Sequence, residues 1–210
     1  MTDSMTLDPP VETPIDRTQR LTFDEYIRAY DGVHAEYVDG EVFVMSPASA
    51  THQLVKKLLL QVMDAYVQQH QLGLVLDAPF AMRTEVRPTG REPDILFIAA
   101  EHLGRLLPNA VDGPADLVVE IISPESDERD RGVKFVEYEA AGVREYWLID
   151  PIRRQADFYR RDDDGLYRRG PLEDGVYRSL VIPGLWIREG WLWQTPLPKA
   201  LDCIRELGLI

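Results

Sequence analysis

The feature that most constrains the fold is an apolar run at residues 116–123 (DLVVEIIS), which carries one carboxylate, Glu120, in its middle. A half-exposed strand alternates apolar and polar residues, whereas an unbroken apolar run is typical of a strand covered on both faces. An isolated charge in such a strand is costly unless it is paired, protonated or bound to a metal. The sequence therefore predicts a central buried strand whose Glu120 needs a partner.

A second run, residues 93–98 (PDILFI), has the same form and places Asp94 at the mouth of its strand. Two carboxylates on neighbouring strands can converge on one point. Converging oxygen ligands suit a hard divalent cation such as Mg2+, with Mn2+ as a substitute. Asp94 and Glu120 are therefore candidate metal ligands.

Composition limits the kinds of protein that the chain can form. With 210 residues, 45% of them hydrophobic, we expect a single domain over residues 19–210 after a disordered leader at residues 1–18, which is rich in proline and acids. No apolar run approaches the roughly 20 residues that span a bilayer, and the N-terminus lacks a signal-peptide core. We therefore expect a cytoplasmic protein without membrane partners.

Metal sites built from cysteine or histidine are disfavoured. Cys203 is the only cysteine, so an intrachain disulfide or a cysteine-rich zinc site is excluded. The four histidines are scattered without the spacing of a helical metal pair. Carboxylates remain as the better ligands.

The formal net charge of -13, from 36 acidic and 23 basic residues, would repel DNA over most of the surface. A local basic patch and a bound metal can still reverse the field at a cleft. The charge argues against a nucleic-acid substrate without excluding one.

Periodicity and capping residues predict the elements of the first half of the chain. A capping threonine followed by acids predicts a short helix over 22–30, and alternation around an Asp-Gly pair predicts a hairpin over 35–44. Apolar residues at helical spacing predict a long helix over about 49–71, ended by Gly73. Strands are predicted at 74–77, 80–85, 94–99 and 117–122, with a helical turn near 101–106.

In the second half, Val133, Val136 and Ala140 mark the predicted apolar face of a helix that ends at Gly142. Residues 144–150 predict another buried strand, stopped by Pro151. Residues 156–160, 166–169 and 177–182 predict antiparallel strands, and a helix is predicted from about 198 to 207. The fold class is therefore α/β with a mixed sheet.

An ordered set of motifs over roughly residues 20–190 resembles the Uma-type restriction endonuclease family of the PD-(D/E)XK nuclease superfamily. The order of the pieces is more specific than any one of them. They are residues 36–41 (EYVDGE), Ser46-Pro47, His52, Pro93-Asp94, residues 119–124 (VEIISP), Asp130-Arg131-Gly132 with Lys134, Tyr138, residues 141–143 (AGV) and residues 145–151 (EYWLIDP).

The resemblance implies a restriction-endonuclease-like α/β fold: a mixed β-sheet core flanked by helices, with an N-terminal hairpin and additional C-terminal antiparallel strands. It also implies that Asp94 and Glu120 hold Mg2+ together with the backbone carbonyl of Ile121. Nucleases of the superfamily carry a lysine two residues after the acid of the central strand, to orient and activate water. That position here is Ile122, and the family pattern suggests that Lys134 substitutes from the following helix.

The resemblance assigns weaker roles to two further residues. Glu36 matches an additional acid from an N-terminal element, which helps to position a metal or its water. His52, at the start of the long helix, could contact a phosphate or transfer a proton.

Each assignment has a structural alternative. Glu120 could form an ion pair with Arg131 or Lys134, and Lys134 could be a solvated helix residue. Glu36 could pair across the hairpin with Arg83. The alternatives for three more residues are a strand-entry turn for Asp94, a helix residue without a partner for His52, and a cap at the turn before Pro151 for Asp150.

Other features have surface or core interpretations. The buried-type aromatics Tyr138, Tyr146 and Trp147 are expected in the core rather than as a base-stacking platform. Three Arg-Arg pairs at 153–154, 160–161 and 168–169 could bind a nucleic-acid backbone, but the acids at 162–164 favour a neutralised hairpin. The apolar residues at 181–186 and 191–193 could be core or a patch for self-association, and we expect a homodimer.

The sequence thus predicts a Mg2+-dependent endonuclease that hydrolyses DNA, in which Asp94, Glu120, Lys134, Glu36 and His52 are the site residues. The main alternative is a degenerate nuclease fold that acts as a binding or interaction module, which the acidic charge and Ile122 favour. A third interpretation makes Asp94 and Glu120 the acid and base of a glycosidase. No visible aromatic sugar cleft supports it.

Overall fold

A computed structural model describes residues 20–84 and 88–210. The predicted leader at residues 1–18 lies outside them, and the single domain over 19–210 stays a prediction. Within the described residues the α-helices are α1 (Phe23–Ala29), α2 (Ala50–His70), α3 (Lys134–Ala141) and α4 (Ala200–Glu206). Shorter helical turns cover Ala100–Arg105, Arg129–Val133 and Glu189–Trp193.

The strands form three sheets. They are β1 (Ala35–Val38), β2 (Glu41–Val44), β3 (Gly73–Asp77), β4 (Ala81–Thr84), β5 (Thr89–Arg91), β6 (Ile95–Ala99), β7 (Ala110–Val111), β8 (Leu117–Ile121), β9 (Glu145–Asp150), β10 (Gln155–Arg161), β11 (Tyr167–Arg169), β12 (Leu172–Glu173), β13 (Val176–Arg178) and β14 (Trp186–Arg188). The sheet orders are β2-β1-β5-β4-β7, β11-β10-β9-β8-β6-β3 and β12-β13-β14. The architecture is α/β with mixed sheets, as predicted.

The predicted buried run forms β8, in the middle of the six-stranded sheet. It pairs antiparallel with β6 and parallel with β9, and all five of its residues are buried. One face of this sheet packs against α2, through residues such as Val55, Leu59 and Val119. The other face packs against α3, through residues such as Val118 and Tyr138. Both faces are covered, which explains the unbroken apolar sequence.

Local signals placed most element ends correctly. Thr22 forms a capping box with Glu25 at the start of α1, and Asp39 and Gly40 take positive φ in the hairpin turn. The end of α2 differs from the prediction, because Gln71 adopts the left-handed conformation and caps the helix. Gly73 instead begins β3, where a Cβ would collide with the backbone carbonyl of Ile98.

The predicted apolar face of α3 is wrong. Val133, Val136 and Ala140 are all exposed, whereas the buried residues of the helix are Lys134, Glu137 and Tyr138. The reason is that α3 covers the part of the sheet that carries buried charges, so its inward face is polar.

The predicted strand at 177–182 is shorter than expected, since β13 ends at Arg178. The apolar residues that follow do not form an exposed patch: Val181, Ile182, Leu185, Trp191 and Leu192 are buried in the core beside α2. The expected homodimer therefore has no support from that segment and stays a prediction. No helix among the described residues is long and apolar enough to cross a membrane.

Candidate metal and catalytic site

Two carboxylates lie opposite one another at the end of the β6–β8 pair. The antiparallel register pairs Ile95 with Val119, and its next position pairs Asp94 with Glu120. Directly opposed residues of paired strands place their side chains on the same face. The sheet therefore brings together the two acids that the sequence singled out.

Asp94 is held by groups from two other elements. Its Oδ2 accepts a hydrogen bond of 2.8 Å from the backbone N–H of Ile121 and lies 3.0 Å from His52 Nε2. Among the described residues, its Oδ1 has no hydrogen-bond partner. The suggestion that His52 lacks a partner is therefore wrong, since the first turn of α2 aims its ring at Asp94. The role predicted for the carbonyl of Ile121 stays a prediction.

Glu120 is 4% exposed and is bound through one oxygen. Its Oε1 accepts hydrogen bonds from Lys134 Nζ at 2.8 Å and from the Tyr138 hydroxyl at 2.7 Å, both on α3. Burial raises the pKa of Glu120 to about 8, although Lys134 acts in the opposite direction. Among the described residues its Oε2 has no hydrogen-bond partner.

Lys134 reaches the cluster from α3. Its amine is buried and lies 2.8 Å from Glu120, 2.7 Å from Glu36 Oε1 and 3.3 Å from Asp130 Oδ1. Burial lowers the pKa of Lys134, but Glu120 and Glu36 outweigh it, so the net shift is upward. Ile122 packs into the core on the α3 side instead. A solvated Lys134 is excluded.

Glu36 reaches the same cluster from β1. Strand β1 pairs with β5 so that Tyr37 faces Gly90, and the next position places Glu36 opposite Arg91. Arg91 Nη1 lies 2.7 Å from Glu36 Oε2. Burial raises the pKa of Glu36, but Lys134 and Arg91 outweigh it and lower that pKa to about 2.

The alternative that pairs Glu36 with Arg83 is wrong. Arg83 instead pairs with Asp24 and Asp112 at the surface, at 2.9 Å and 3.0 Å. The β1–β2 hairpin shows only which residues of those two strands face each other. The partner of Glu36 is Arg91, which lies on β5, the other strand paired with β1.

Sequence reasoning missed two residues of the cluster, Arg91 and Asp130. It also missed the contact that the Tyr138 hydroxyl makes with Glu120. Arg91 also binds Glu137 at 2.7 Å, which connects β5 to α3. Tyr138 is fully buried, as expected for a core residue, but its hydroxyl is a donor to Glu120. Asp130 and Tyr138 belong to the quoted family motifs, which was the available signal.

The donor set fits a divalent cation held by two carboxylates. Among the described residues, no three His, Cys, Asp or Glu side chains form a complete metal-binding group. Mg2+, however, is usually bound by one or two carboxylates and completes its shell with waters and substrate phosphate. Asp94 Oδ1 and Glu120 Oε2 are two such oxygens, in a cluster where carboxylates outnumber cations.

A second charge cluster is centred on Arg131, three positions before Lys134 in the chain, and has a structural role. Arg131 binds Asp127, Asp150 and Asp157 at 2.7, 2.9 and 3.2 Å. Asp150 Oδ1 also accepts the backbone N–H groups of residues 152 and 153, which confirms the predicted cap before Pro151. Of the Arg-Arg pairs, Arg153, Arg168 and Arg169 contact aspartates, which favours the neutralised surface.

The fold and the site define a protein of the nuclease-like α/β class. The chain belongs to the Uma2 family, described as "Putative restriction endonuclease", whose model matches residues 23–193. The matched range includes all five predicted site residues. A search of curated proteins gives no significant match.

The fold is similar to that of a solved structure described as a "putative nuclease belonging to DUF820", from Anabaena variabilis. The two chains share 17% identity with a TM-score of 0.69, over 82% of this chain and 97% of the other. At this identity the likeness supports the nuclease fold alone.

Proposed function

We propose that the protein is a Mg2+-dependent endonuclease that hydrolyses phosphodiester bonds in DNA. The observation that carries the proposal is the position of the Lys134 amine. It contacts Glu120, which lies opposite Asp94 in the strand register, although the usual lysine position is occupied by Ile122. Two carboxylates, directly before β6 and on β8, and a buried amine on α3 are thereby brought together.

The protonation states and contacts of the site residues give each of them a different role. Asp94 and Glu120 would hold the metal, which when bound supplies a Lewis acid and lowers the pKa of an attacking water. Because its carboxylate neighbours raise its pKa, Lys134 stays protonated and cannot act as a base. It orients the water and stabilises the negative charge that develops on the phosphate.

Two residues position the others. Glu36 forms an ion pair with the Lys134 amine through Oε1 and accepts a hydrogen bond from Arg91 on Oε2, which would help to hold the amine in place. His52 contacts Asp94 through Nε2, while its buried Nδ1 has no hydrogen-bond partner among the described residues. A contact of His52 with a phosphate, or a proton transfer by it, stays a prediction.

The rival function, a non-catalytic binding module with the same fold, is favoured by one observation. Three carboxylates surround Lys134, so the cluster can hold together without a metal. Calorimetric titration with Mg2+ and Mn2+ separates the two functions, because the rival expects no binding in the wild type. Membership of the nuclease family gives no support to the glycosidase interpretation.

The decisive experiment measures cleavage of supercoiled plasmid and labelled oligonucleotides with and without Mg2+. We expect wild-type cleavage that a chelator abolishes, and its loss in Asp94→Ala and Glu120→Ala. Asp157→Asn in the Arg131 cluster is the control and keeps activity. Cleavage that persists in both site variants, after repurification, contradicts the proposal.

A further inference from the structure

The lysines of this acidic protein are distributed unevenly. The chain has four, and two of them, Lys56 and Lys134, form ion pairs with Asp77 and with the site carboxylates. Lys57 and Lys199 are exposed and form no ion pair with the rest of the described chain. These two unpaired lysines line the same groove.

This groove lies between α2 and the segment that leads into α4, and its volume is about 470 Å³. Its lining contains a third cation, Arg154, and no aspartate or glutamate. An acid-free, basic lining is unusual in a chain with 36 acids and 23 bases. Among cellular polymers, a polyanion complements such a lining.

Apolar and aromatic side chains alternate with these cations. Leu54 is 57% exposed although it is large and apolar, and half-buried Trp193 lies on the opposite wall. Cations beside a partly exposed aromatic ring are typical of surfaces that bind single strands, since the cations contact phosphates and the ring stacks on a base. A concave space of this volume suits a few nucleotides of one strand rather than a duplex.

Two elements of the chain connect the groove to the candidate catalytic site. Thr51 lines it, and the next residue of α2 is His52, which contacts Asp94. Pro151 also lines it, directly after β9, whose Ile149 pairs with Ile121 of β8. Both connections place the groove near the end of the central sheet at which the two acids lie, on the face that α2 covers, whereas Glu120 contacts α3 on the other face.

We propose that this groove binds a single-stranded segment of the nucleic-acid substrate next to the bond to be cleaved. Lys57, Arg154 and Lys199 contact its phosphates, and Trp193 stacks on one of its bases. The inference rests on the proposed nuclease function and adds a substrate class to it. It also explains how a protein of charge -13 can retain a polyanion, because attraction is confined to one groove.

Binding without cleavage tests the groove directly. Fluorescence anisotropy in chelator-containing buffer measures the affinity of the full chain for a short labelled single-stranded oligodeoxynucleotide and for its duplex. We expect Lys57→Ala with Lys199→Ala to weaken single-strand binding about tenfold at low salt. The slope of log affinity against log salt should fall by about 1.4, or roughly 0.7 for each lost phosphate contact.

Arg178→Ala is the matched control, because Arg178 is exposed, forms no ion pair with the described residues and lies outside the groove. It should change the affinity less than twofold. Trp193→Leu should weaken single-strand binding by about fivefold or more, with little effect on the duplex. Thermal melting checks that each variant is folded.

Any result other than those expected for the lysine, Trp193 and Arg178 variants overturns the proposal. If the lysine variant binds and cleaves like the Arg178→Ala control, the groove is wrong while the nuclease function stands. Equal losses for single strand and duplex contradict a single-stranded occupant, and displacement of the oligonucleotide by polyglutamate at equal charge favours an acidic peptide instead. A wild type that neither binds nor cleaves nucleic acid overturns both proposals.

Discussion

Two charge clusters of nearly the same composition lie three residues apart in the chain. One surrounds Lys134 and the other Arg131, and each cation contacts three carboxylates. They differ in burial, since the side chain of Lys134 is 3% exposed and that of Arg131 is 29% exposed. The side chains of Asp150 and Asp157 are buried like the site acids, at 1% and 3% exposed, but a partly exposed arginine can exchange its contacts for water at less cost than a buried lysine can.

The clusters also differ in how completely their carboxylates are bonded. Around Arg131, Asp150 accepts bonds on both oxygens, and Asp157 contacts Arg131 on one oxygen and Arg169 on the other. Around Lys134, Glu120 Oε2 has no hydrogen-bond partner among the described residues. The comparison teaches that the number of ion pairs does not identify a site. A carboxylate oxygen that has no protein partner, on an otherwise buried side chain, is the feature that does.

The largest expected difference between the clusters is in activity. Glu120→Gln keeps the shape of the side chain but removes its charge, so metal-dependent cleavage should fall about 10³-fold or more. Asp157→Asn, the equivalent change beside Arg131, should keep activity within about threefold of wild type, because it touches no reacting group. Initial rates of plasmid nicking measure both. Equal losses in the two variants would contradict the division into site and scaffold.

The next difference is in stability. Lys134→Met leaves three carboxylates near one another without their cation, and breaking a buried pair in this way typically costs about 3–5 kcal/mol. Arg131→Met should cost less, about 1–2 kcal/mol, because Arg131 is partly exposed and the buried Asp150 and Asp157 keep Arg153 and Arg169 as partners. Urea unfolding followed by circular dichroism gives both free energies. A smaller cost for Lys134→Met than for Arg131→Met would reverse the assigned roles.

A smaller effect tests the hydroxyl that shares Glu120 with the lysine. Tyr138→Phe removes one hydrogen bond to a buried carboxylate and no packing, so the free energy of unfolding should fall by about 1.5–3 kcal/mol. Cleavage should slow by about tenfold, since Glu120 is less firmly positioned. Tyr167→Phe is the control, because the Tyr167 hydroxyl donates to the backbone carbonyl of Val143 rather than to a site acid. It should leave kcat unchanged.

The smallest expected effect is that of the metal itself on folding. A ligand at ten times its dissociation constant stabilises the folded state by about 1.4 kcal/mol. Addition of Mg2+ should therefore raise the melting temperature of the wild type and of Asp157→Asn by a few degrees, and that of Glu120→Gln by much less. A rise of the same size in all three proteins would place the ion elsewhere.

Most of the scaffold could be predicted from the sequence, because the local signals were strong. The apolar runs identified β6, β8 and β9, a capping residue located α1, and apolar residues at helical spacing located α2. The short strands β5, β7 and β12 escaped prediction because two or three residues carry too little periodicity. One of them, β5, carries Arg91, which explains why the partner of Glu36 was missed.

The sequence alone determined that Glu120 lies within a buried strand and Asp94 directly before one, because a carboxylate in or beside an apolar run is visible without coordinates. Only the tertiary structure decided that Lys134 points inward, against the apolar periodicity of its own helix. The physical reason is that periodicity reports which residues share a helix face, while the neighbour that covers that face decides whether it is apolar. Here the neighbour is a strand carrying Glu120, and a charged helix face is what satisfies it.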